Sequence, residues 1–230
     1  MTMYWEERTK EETVSGSDDV VDLVYPIACQ YLPVDHNFAL GQAVLQVLSW
    51  LPEEVGAGVH PIQVAISAHG WERPAGADDL LHLSKRTRLV IRVPRHRLED
   101  GQALVGRVLD VRGQALMVTG SPTVRPLQPN PTLYSRNVAL GADEEDDFLR
   151  AAAQLLERLD IVVRKMLPGK TAAIGTPTGP LTTRSLMLAD LAEEESLRLQ
   201  QHGLGPCRYF GCGLFTPYKG IKAVNRQAED

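Results

Sequence analysis

The sequence predicts an α+β fold made of two consecutive units, each with the element order β-α-β-β-α-β. Three observations predict it. The spacing of apolar residues gives this order twice along the chain. A stretch with four prolines in 14 residues, SPTVRPLQPNPTLY, separates the two occurrences. The chain has 230 residues, of which 43% are hydrophobic, and this is enough for two small domains with their own cores.

The first unit begins with DLVYPIACQ, a segment rich in strand formers. The next segment has apolar residues at helical spacing, and two strand-like runs follow it. The last segment of the unit turns at an Arg-Gly pair and is predicted to form a β-hairpin. The predicted elements are a strand over 22–30, a helix over 38–50, strands over 59–67 and 87–93, and a hairpin within 102–119 that turns at Arg112-Gly113.

The second unit repeats this order. Its helices have acidic residues at their N-terminal ends, where the helix dipole favours negative charge. The predicted elements are a strand over 135–140, a helix over 144–161, two short strands within 171–189 around the turn TPTGP, a helix ending at Gly203, and a last strand within 207–217.

The repeated order is that of a ferredoxin-like domain, so we predict two tandem ferredoxin-like (RRM-like) domains. Both ends of the chain are expected to lie outside them. The predicted divisions are an acidic disordered leader (1–21), an N-terminal domain (22–125), a proline-rich linker (126–134), a C-terminal domain with a glycine-rich loop (135–220) and a tail (221–230).

Composition excludes several classes of protein. The most apolar stretch, 38–51, is interrupted by Gln42, Gln46 and Ser49, so no membrane span is expected. The N-terminus is too charged for a secretory signal. Three cysteines are too few, and odd in number, for a disulfide framework. We therefore expect a soluble cytoplasmic protein.

The charge distribution permits binding to a polyanion even though the net charge is −5. Segments 1–22 and 143–147 hold 12 of the 29 acidic residues but only two of the 24 basic ones. The remainder of the chain therefore carries a net charge of +5. Because the local field steers a polyanion, a basic face remains possible.

The segment 203–217, GLGPCRYFGCGLFTP, contains four glycines around Arg208 and Tyr209. Repeated glycine lets a backbone turn tightly, so that its amides can face phosphate oxygens. A structural alternative is a helix C-cap at Gly203 followed by a bulged strand. The glycine spacing matches neither the dinucleotide-binding motif nor the phosphate-binding loop of NTPases.

The C-terminal segment EEESLRLQQHGLGPCRYFGCGLFTP resembles the signature of a known family, the CRISPR-associated repeat-processing endoribonucleases of the RAMP superfamily (the Cas-six family). Two further blocks resemble its Myxococcus-type branch: LPVDHNFALGQAVL…WLPEEVGAGVHPI and VRPLQPNPTLYSR. The resemblance spans about residues 22–218. It implies two ferredoxin-like domains, and cleavage of CRISPR repeat transcripts without metal or cofactor. It also implies products with 2′,3′-cyclic phosphate and 5′-hydroxyl ends.

Such chemistry needs a general acid or base, a role that suits histidine. In the family the active-site histidine lies late in the first helix or in the turn after it, and His60 is the nearest match. His36 matches the branch motif but lies at the start of the helix, and its alternative role is a structural hydrogen bond. Where some relatives have a histidine, this chain has Pro52.

Other side chains could bind the phosphate. Tyr209, Arg208 and Lys219 are candidates. Tyr209 is also a third candidate catalytic residue, although it could equally belong to the core. The spacing His-x4-Cys-x4-Cys from His202 to Cys212 suggests zinc, but a fourth ligand is missing and we expect no metal. The remaining candidates for RNA contacts are the loop glycines and basic residues from both units: Gly203, Gly205, Gly211, Gly213, Arg86, Arg88, Arg150, Arg158, Arg164 and Lys165.

The function that this resemblance implies is maturation of crRNA, and the expected partner is CRISPR repeat RNA. Other subunits of a CRISPR effector complex are further candidate partners. An alternative is a non-catalytic RAMP subunit that binds crRNA and scaffolds such a complex. A third is a metabolic or regulatory pair of ferredoxin-like domains, which would lack salt-sensitive RNA binding.

Overall fold

The computed structural model describes residues 19–63, 76 and 79–218. Alternating apolar residues in the first half form strands that bury one face. The elements of this half are β1 Val20–Ala28, β2 Tyr31–Pro33, α1 Asn37–Leu45, β3 Gly58–Val59, β4 Leu80–His82, β5 Arg88–Pro94, β6 Val108–Val111, β7 Gln114–Val118 and β8 Thr123–Pro126.

The main sheet of the first half has the strand order β3-β5-β1-β7-β6, and every pairing is antiparallel. Strand β8 also pairs with β1, beside the residues that pair with β7. Strands β2 and β4 form a separate two-stranded sheet. One face of the main sheet and helix α1 enclose an apolar core that includes Leu23, Tyr25, Leu40, Val44 and Ile91.

The second half has its own sheet and core. Its elements are β9 Leu133–Val138, α2 Glu145–Arg158, β10 Lys165–Thr176, β11 Gly179–Ala189, α3 Glu193–His202 and β12 Thr216–Pro217. The strand order is β10-β11-β9-β12, and all pairings are antiparallel. The α2 residues Phe148, Ala152 and Leu156, spaced by one helical turn, pack on this sheet together with Leu199 and Phe215.

The predicted α+β class is confirmed, and so is the β-α-β-β-α-β order of the second half. The Arg112-Gly113 turn is also confirmed, and both residues have positive φ, as a two-residue hairpin turn requires. Helix α3 ends at His202 with Gly203 as its cap, as predicted.

Four predicted elements differ in the structure, because tertiary packing outweighs the local sequence pattern. The first helix ends at Leu45, five residues early. Residues 102–104, the start of the segment predicted as a hairpin, belong to a 3₁₀ turn over 100–104. Of the second strand only Gly58–Val59 pairs, and 64–67 lie outside the described residues. The glycine-rich segment 207–217, predicted as a strand, forms a 3₁₀ turn at Arg208–Phe210 and pairs only at β12.

The proline-rich stretch 121–134 contains a strand, β8, that joins the main sheet. Proline is tolerated there because β8 lies at the edge of the sheet and Pro126 is its last residue. Strand β1 begins at Val20, inside the segment predicted as a leader, while residues 1–18 and 219–230 lie outside the described residues.

Across the described ranges, no helix is long and apolar enough to cross a membrane.

Candidate active site

A row of charged residues crosses three neighbouring strands of the main sheet. Asp22 of β1 lies directly opposite Arg92 of β5 and, on its other side, opposite Arg125 of β8. These side chains point away from the core, since their neighbours Val21 and Leu23 point into it. The register of the strands therefore places one carboxylate between two guanidinium groups.

The Asp22 carboxylate is buried and fully engaged. Its Oδ1 accepts a hydrogen bond from Arg92 Nε at 2.9 Å, and its Oδ2 accepts one from Arg125 Nη2 at 3.0 Å and a longer one from Arg92 Nη2 at 3.4 Å. Burial alone would raise the pKa of Asp22, but Arg92 and His60 outweigh it and hold this pKa well below its usual range.

Arg92 ties the two halves of the chain together. Its side chain is 1% exposed, so it must satisfy its donors within the protein. Nη1 donates to the carbonyl oxygen of Gln200 at 2.7 Å, at the end of α3, and to that of Phe215 at 3.1 Å, beside β12. The Asp22–Arg92 pair thereby fixes the C-terminal segment against the main sheet.

His60 lies at the end of this row. It follows β3, and its backbone N–H donates to the Val90 carbonyl oxygen at 3.0 Å. The Nε2 atom of His60 lies 3.6 Å from Asp22 Oδ1 and has no hydrogen-bond partner, although it is buried. Burial lowers the pKa of His60, Arg92 and Arg125 lower it further, and Asp22 only partly opposes them. The imidazole is therefore neutral at pH 7.

His60 and the row of charges line a cleft of about 560 Å³ between the main sheet and the C-terminal segment. The polar and charged residues of this cleft are Asp22, His60, Gln63, Arg88, Arg92, Arg125, Gln128, Gln200 and Thr216. Three arginines and one carboxylate leave a positive balance. Such a cleft can bind an anion and offers it a neutral imidazole that can accept a proton.

His36 has a different environment. It is 1% exposed, and both ring nitrogens are occupied: Nδ1 donates to the Pro33 carbonyl oxygen at 2.8 Å, and Nε2 accepts from the backbone N–H of Ile62 at 3.0 Å. These bonds tie the start of α1 to the segment that carries His60. This geometry matches the structural hydrogen bond that the sequence left open for His36.

The four glycines of the C-terminal loop all have positive φ, between 64° and 80°. This is the left-handed region, which glycine adopts without steric cost. Three of the four are buried, so their backbone turns lie inside the protein. The glycines are Gly203, Gly205, Gly211 and Gly213.

Side chains at these glycines would meet other parts of the protein. A Cβ on Gly211 would lie 2.7 Å from Pro61, next to His60, and one on Gly213 would lie 2.1 Å from the Leu204 carbonyl oxygen. In the same way, Gly41 of α1 allows close approach of the Tyr209 backbone. The loop therefore packs against α1 and against the segment that carries His60, through contacts inside the protein.

Arg208 and Tyr209 lie in the 3₁₀ turn of this loop and are half-buried. Arg208 donates to the His202 carbonyl oxygen, and burial together with nearby Arg92 lowers the pKa of Arg208 to about 10. Tyr209 packs edge-on against Phe210, which in turn contacts Phe38. Both residues border the contact between the two halves.

The predicted basic residues are spread over both halves. In the first, Arg86 and Arg88 are exposed, and Arg88 lines the cleft. In the second, the four predicted residues are exposed, and three of them have acidic partners. Their positions are Arg150 beside Asp147, Arg158 at the end of α2, Arg164 2.5 Å from Glu195, and Lys165 2.9 Å from Asp190.

Lys219 lies outside the described residues. His202, Cys207 and Cys212 form no ligand group, and the residues that the structure describes contain no cluster of three or more side chains suited to a metal ion.

The pairing of Asp22 with Arg92 and Arg125 was not predicted from the sequence. The first two carried a signal, because each is a single charge inside an apolar strand, in VVDLV and VIRV, and the two charges are opposite. Buried charges of opposite sign are expected to pair. Arg125 carried no such signal, because it lies in the proline-rich stretch 121–134, directly before the predicted linker.

Comparisons with known proteins agree with this architecture. A protein-family model described as Cas6 Crispr matches residues 21–220. A CRISPR-associated endonuclease Cas6 from Myxococcus xanthus (strain DK1622) is 30% identical over 198 residues, which cover 86% of this chain and 81% of that protein.

Two solved structures share the fold. The product of a Cas6-related gene from Pyrococcus furiosus superposes with a TM-score of 0.56 at 10% identity, covering 88% of this chain and 99% of that one. A RAMP protein that binds different RNA substrates has a TM-score of 0.58 at 9% identity, covering 87% of this chain and all of that one.

Proposed function

Because this chain belongs to the Cas6 CRISPR family, we propose that it is an endoribonuclease that cleaves CRISPR repeat transcripts to mature crRNA. One observation carries the proposal. The imidazole of His60, whose pKa is lowered by burial and by nearby arginines, lines a cleft together with Arg88, Arg92 and Arg125. An RNA chain supplies both the phosphate anion that the arginines attract and the ribose 2′-hydroxyl whose proton the imidazole can take.

The reaction that fits these groups is attack by the ribose 2′-hydroxyl on the adjacent phosphorus. His60 takes the proton of the 2′-hydroxyl, the O2′–P bond forms, and the P–O5′ bond breaks. The 5′-oxygen leaves and takes a proton from solvent water, and the protonated His60 returns its proton to the hydroxide that remains. The products are a 2′,3′-cyclic phosphate and a 5′-hydroxyl, so no water is added, and the proton transfers need only His60 and solvent water.

The arginines stabilise the charge that develops on the phosphate. Arg88 and Arg125 reach the cleft from β5 and β8 and are exposed, so they can contact RNA without losing core packing. Cations aimed at the developing charge in a partly buried site act more strongly than in water. We assign His36 and the loop glycines an indirect part, since they hold the segment that carries His60.

RNA outside the cleft would be bound mainly through its phosphates. We propose Arg86, Arg150, Arg158, Arg164, Lys165 and Lys219 as these contacts, with Arg208 and Tyr209 at the junction between the halves. The repeat transcript would then contact both halves of the chain.

The architecture that we propose for this activity is two ferredoxin-like domains. The order β10-β11-β9-β12 supports it for the second domain, and β3-β5-β1-β7 supports it for the first, where 3₁₀ turns replace the second helix. We propose the division into 22–125, a linker at 126–134, and 135–220, with strands β1 and β9 each beginning two residues before the first and second domain bounds. A cytoplasmic location fits the three free cysteines, Cys29, Cys207 and Cys212.

A non-catalytic RAMP subunit that holds crRNA, alone or within an effector complex, is the second candidate. The fold shared with a RAMP protein that binds RNA favours it. The two candidates differ in whether the cleft performs chemistry.

Cleavage of repeat RNA under single-turnover conditions in EDTA distinguishes them. The wild-type protein should cut at one position and leave a cyclic phosphate, and RNA with 2′-deoxyribose at that position should stay intact. His60→Ala should slow cleavage by about 10²–10⁴-fold, with nearly unchanged RNA affinity. Binding without cleavage by the wild type would establish the non-catalytic alternative.

Replacing a histidine that lies outside the cleft provides the matched control for His60→Ala. His96 is exposed and pairs with Glu54 at 3.0 Å outside the cleft, so His96→Ala should cleave at the wild-type rate. If His60→Ala also cleaved at that rate, His60 would not be the base.

A further inference from the structure

The two ring nitrogens of His60 have different surroundings. Nε2 is buried, lacks a hydrogen bond, and lies 3.6 Å from Asp22 Oδ1. The ring lines the cleft, and Nδ1, unlike Nε2, is not a buried atom without a partner, which leaves Nδ1 as the nitrogen for a ligand. A small rotation of the ring would bring Nε2 within hydrogen-bond distance of Asp22.

We propose that Asp22 is the positioning residue of His60: its carboxylate holds the imidazole with the proton on Nε2, so that Nδ1 presents its lone pair to the RNA. This inference rests on the proposed function, because it assigns the nitrogen that acts as base. Asp22 itself touches no reacting atom.

The chemistry of the pair favours this tautomer. A carboxylate accepts a hydrogen bond from N–H but repels the lone pair of an unprotonated nitrogen. With the proton on Nδ1, the Nε2 lone pair would face Asp22 Oδ1 in a buried place. With the proton on Nε2, the same contact becomes attractive, and the buried nitrogen obtains a partner.

The arginines keep Asp22 ionised and in place. Arg92 holds both carboxylate oxygens and is itself anchored by the carbonyl oxygens of Gln200 and Phe215. Arg125 binds Oδ2 from the solvent side, with 55% of its side chain exposed. Arg92 is therefore the rigid partner of Asp22, and Arg125 is the partner that can be changed without disturbing the core.

The charged groups that face His60 come from three strands. Asp22 of β1 favours the protonated imidazole, whereas Arg92 of β5 and Arg125 of β8 oppose it. Arg88 of β5 lines the same cleft and has no contact with Asp22 in the structure. This difference between Arg88 and Arg125 provides a matched pair of variants.

The test is NMR titration of the RNA-free protein with ¹⁵N-labelled histidine, with the His60 signals assigned from the spectrum of His60→Gln. In the wild type, neutral His60 should carry its proton on Nε2 and titrate below pH 6.5. Arg125→Gln should raise the titration midpoint by ~0.5 unit or more, because it removes a nearby positive charge. Arg88→Gln should shift the midpoint much less.

Asp22→Asn completes the series. If the variant folds, its His60 midpoint should fall below that of the wild type, and cleavage should slow at least tenfold. If Asp22→Asn prevents folding, the comparison of Arg125→Gln with Arg88→Gln, both at exposed residues, still tests the proposal. A neutral His60 with its proton on Nδ1, or equal shifts in both arginine variants, would overturn the proposal.

Cleavage assays separate this proposal from the function on which it rests. In Arg125→Gln, the acidic limb of the pH–rate profile should move by the same amount as the NMR midpoint. In Arg88→Gln, RNA binding should weaken while that limb stays in place. A wild-type protein with the expected titration but no cleavage would overturn the proposed function and leave the Asp22–His60 pairing standing.

Discussion

Replacing Gly213 with alanine should strongly destabilise the folded protein, because the substitution disturbs contacts inside the protein rather than contacts with RNA. Gly213 has φ of +64°, which costs a residue with a Cβ about 1–2 kcal/mol. Its Cβ would also lie 2.1 Å from the Leu204 carbonyl oxygen and 2.9 Å from the Leu204 carbonyl carbon. These are backbone atoms that cannot rotate away.

The backbone would have to move, and this would break hydrogen bonds. Gly213 accepts one from Leu204 N–H at 3.0 Å and donates one to the Asn137 carbonyl oxygen at 2.6 Å. A buried polar group left without a partner costs about 1–3 kcal/mol. Together with the strain, the loss should be about 3–5 kcal/mol, which lowers the melting temperature of a chain of this size by roughly 10 °C.

Gly141 provides the matched control. It has φ of +68°, nearly the same as Gly213, but a Cβ there would meet nothing within 4 Å. Gly141→Ala should therefore show the backbone strain alone, a decrease in melting temperature of roughly 3 °C. Thermal denaturation followed by circular dichroism measures both. Equal melting temperatures for the two variants, with RNA binding lost only in Gly213→Ala, would refute the structural role and support direct contact between this loop and RNA.

Three further outcomes are expected. His36→Ala should lower the free energy of unfolding by about 2–4 kcal/mol in denaturant titrations, because it leaves the Ile62 N–H unpaired; unchanged stability would contradict this. Arg92→Met should cost about 3–5 kcal/mol in the same assay, since Asp22 loses its main buried partner, and a smaller loss than in His36→Ala would contradict it. Folding lowers the pKa of His60, so as the pH falls the unfolded chain takes up a proton at this residue before the folded chain does. The free energy of unfolding should therefore decrease below about pH 6.5, and this part of the pH dependence should be absent in His60→Gln.

The candidate site was only partly predictable. His60 followed from its place after the first helix, in the resemblance to the family, and the structure puts it in a cleft with Arg88. Its neighbours Asp22, Arg92 and Arg125 come from positions far apart in the chain. Only the antiparallel register places them in one row.

The glycine-rich loop shows a different limit. Four glycines in 11 residues predict tight turns, and the positive φ values confirm this. The same pattern fits turns that face a phosphate and turns that face the protein interior. The contacts with Pro61 and Leu204, which come from folding, place these turns against the interior.

Elements with local signals could be predicted from the amino-acid sequence. The apolar residues of α2, the hairpin turn at Arg112-Gly113 and the Gly203 cap each depend on neighbours within a few residues, so their patterns specify them. The formation of β8 inside a proline-rich stretch, and the position of Asp22 between two arginines beside His60, follow from tertiary contacts. The reason is that these strand pairings join residues about 60 to 105 positions apart, and the free energy that selects the register comes from burying the whole sheet.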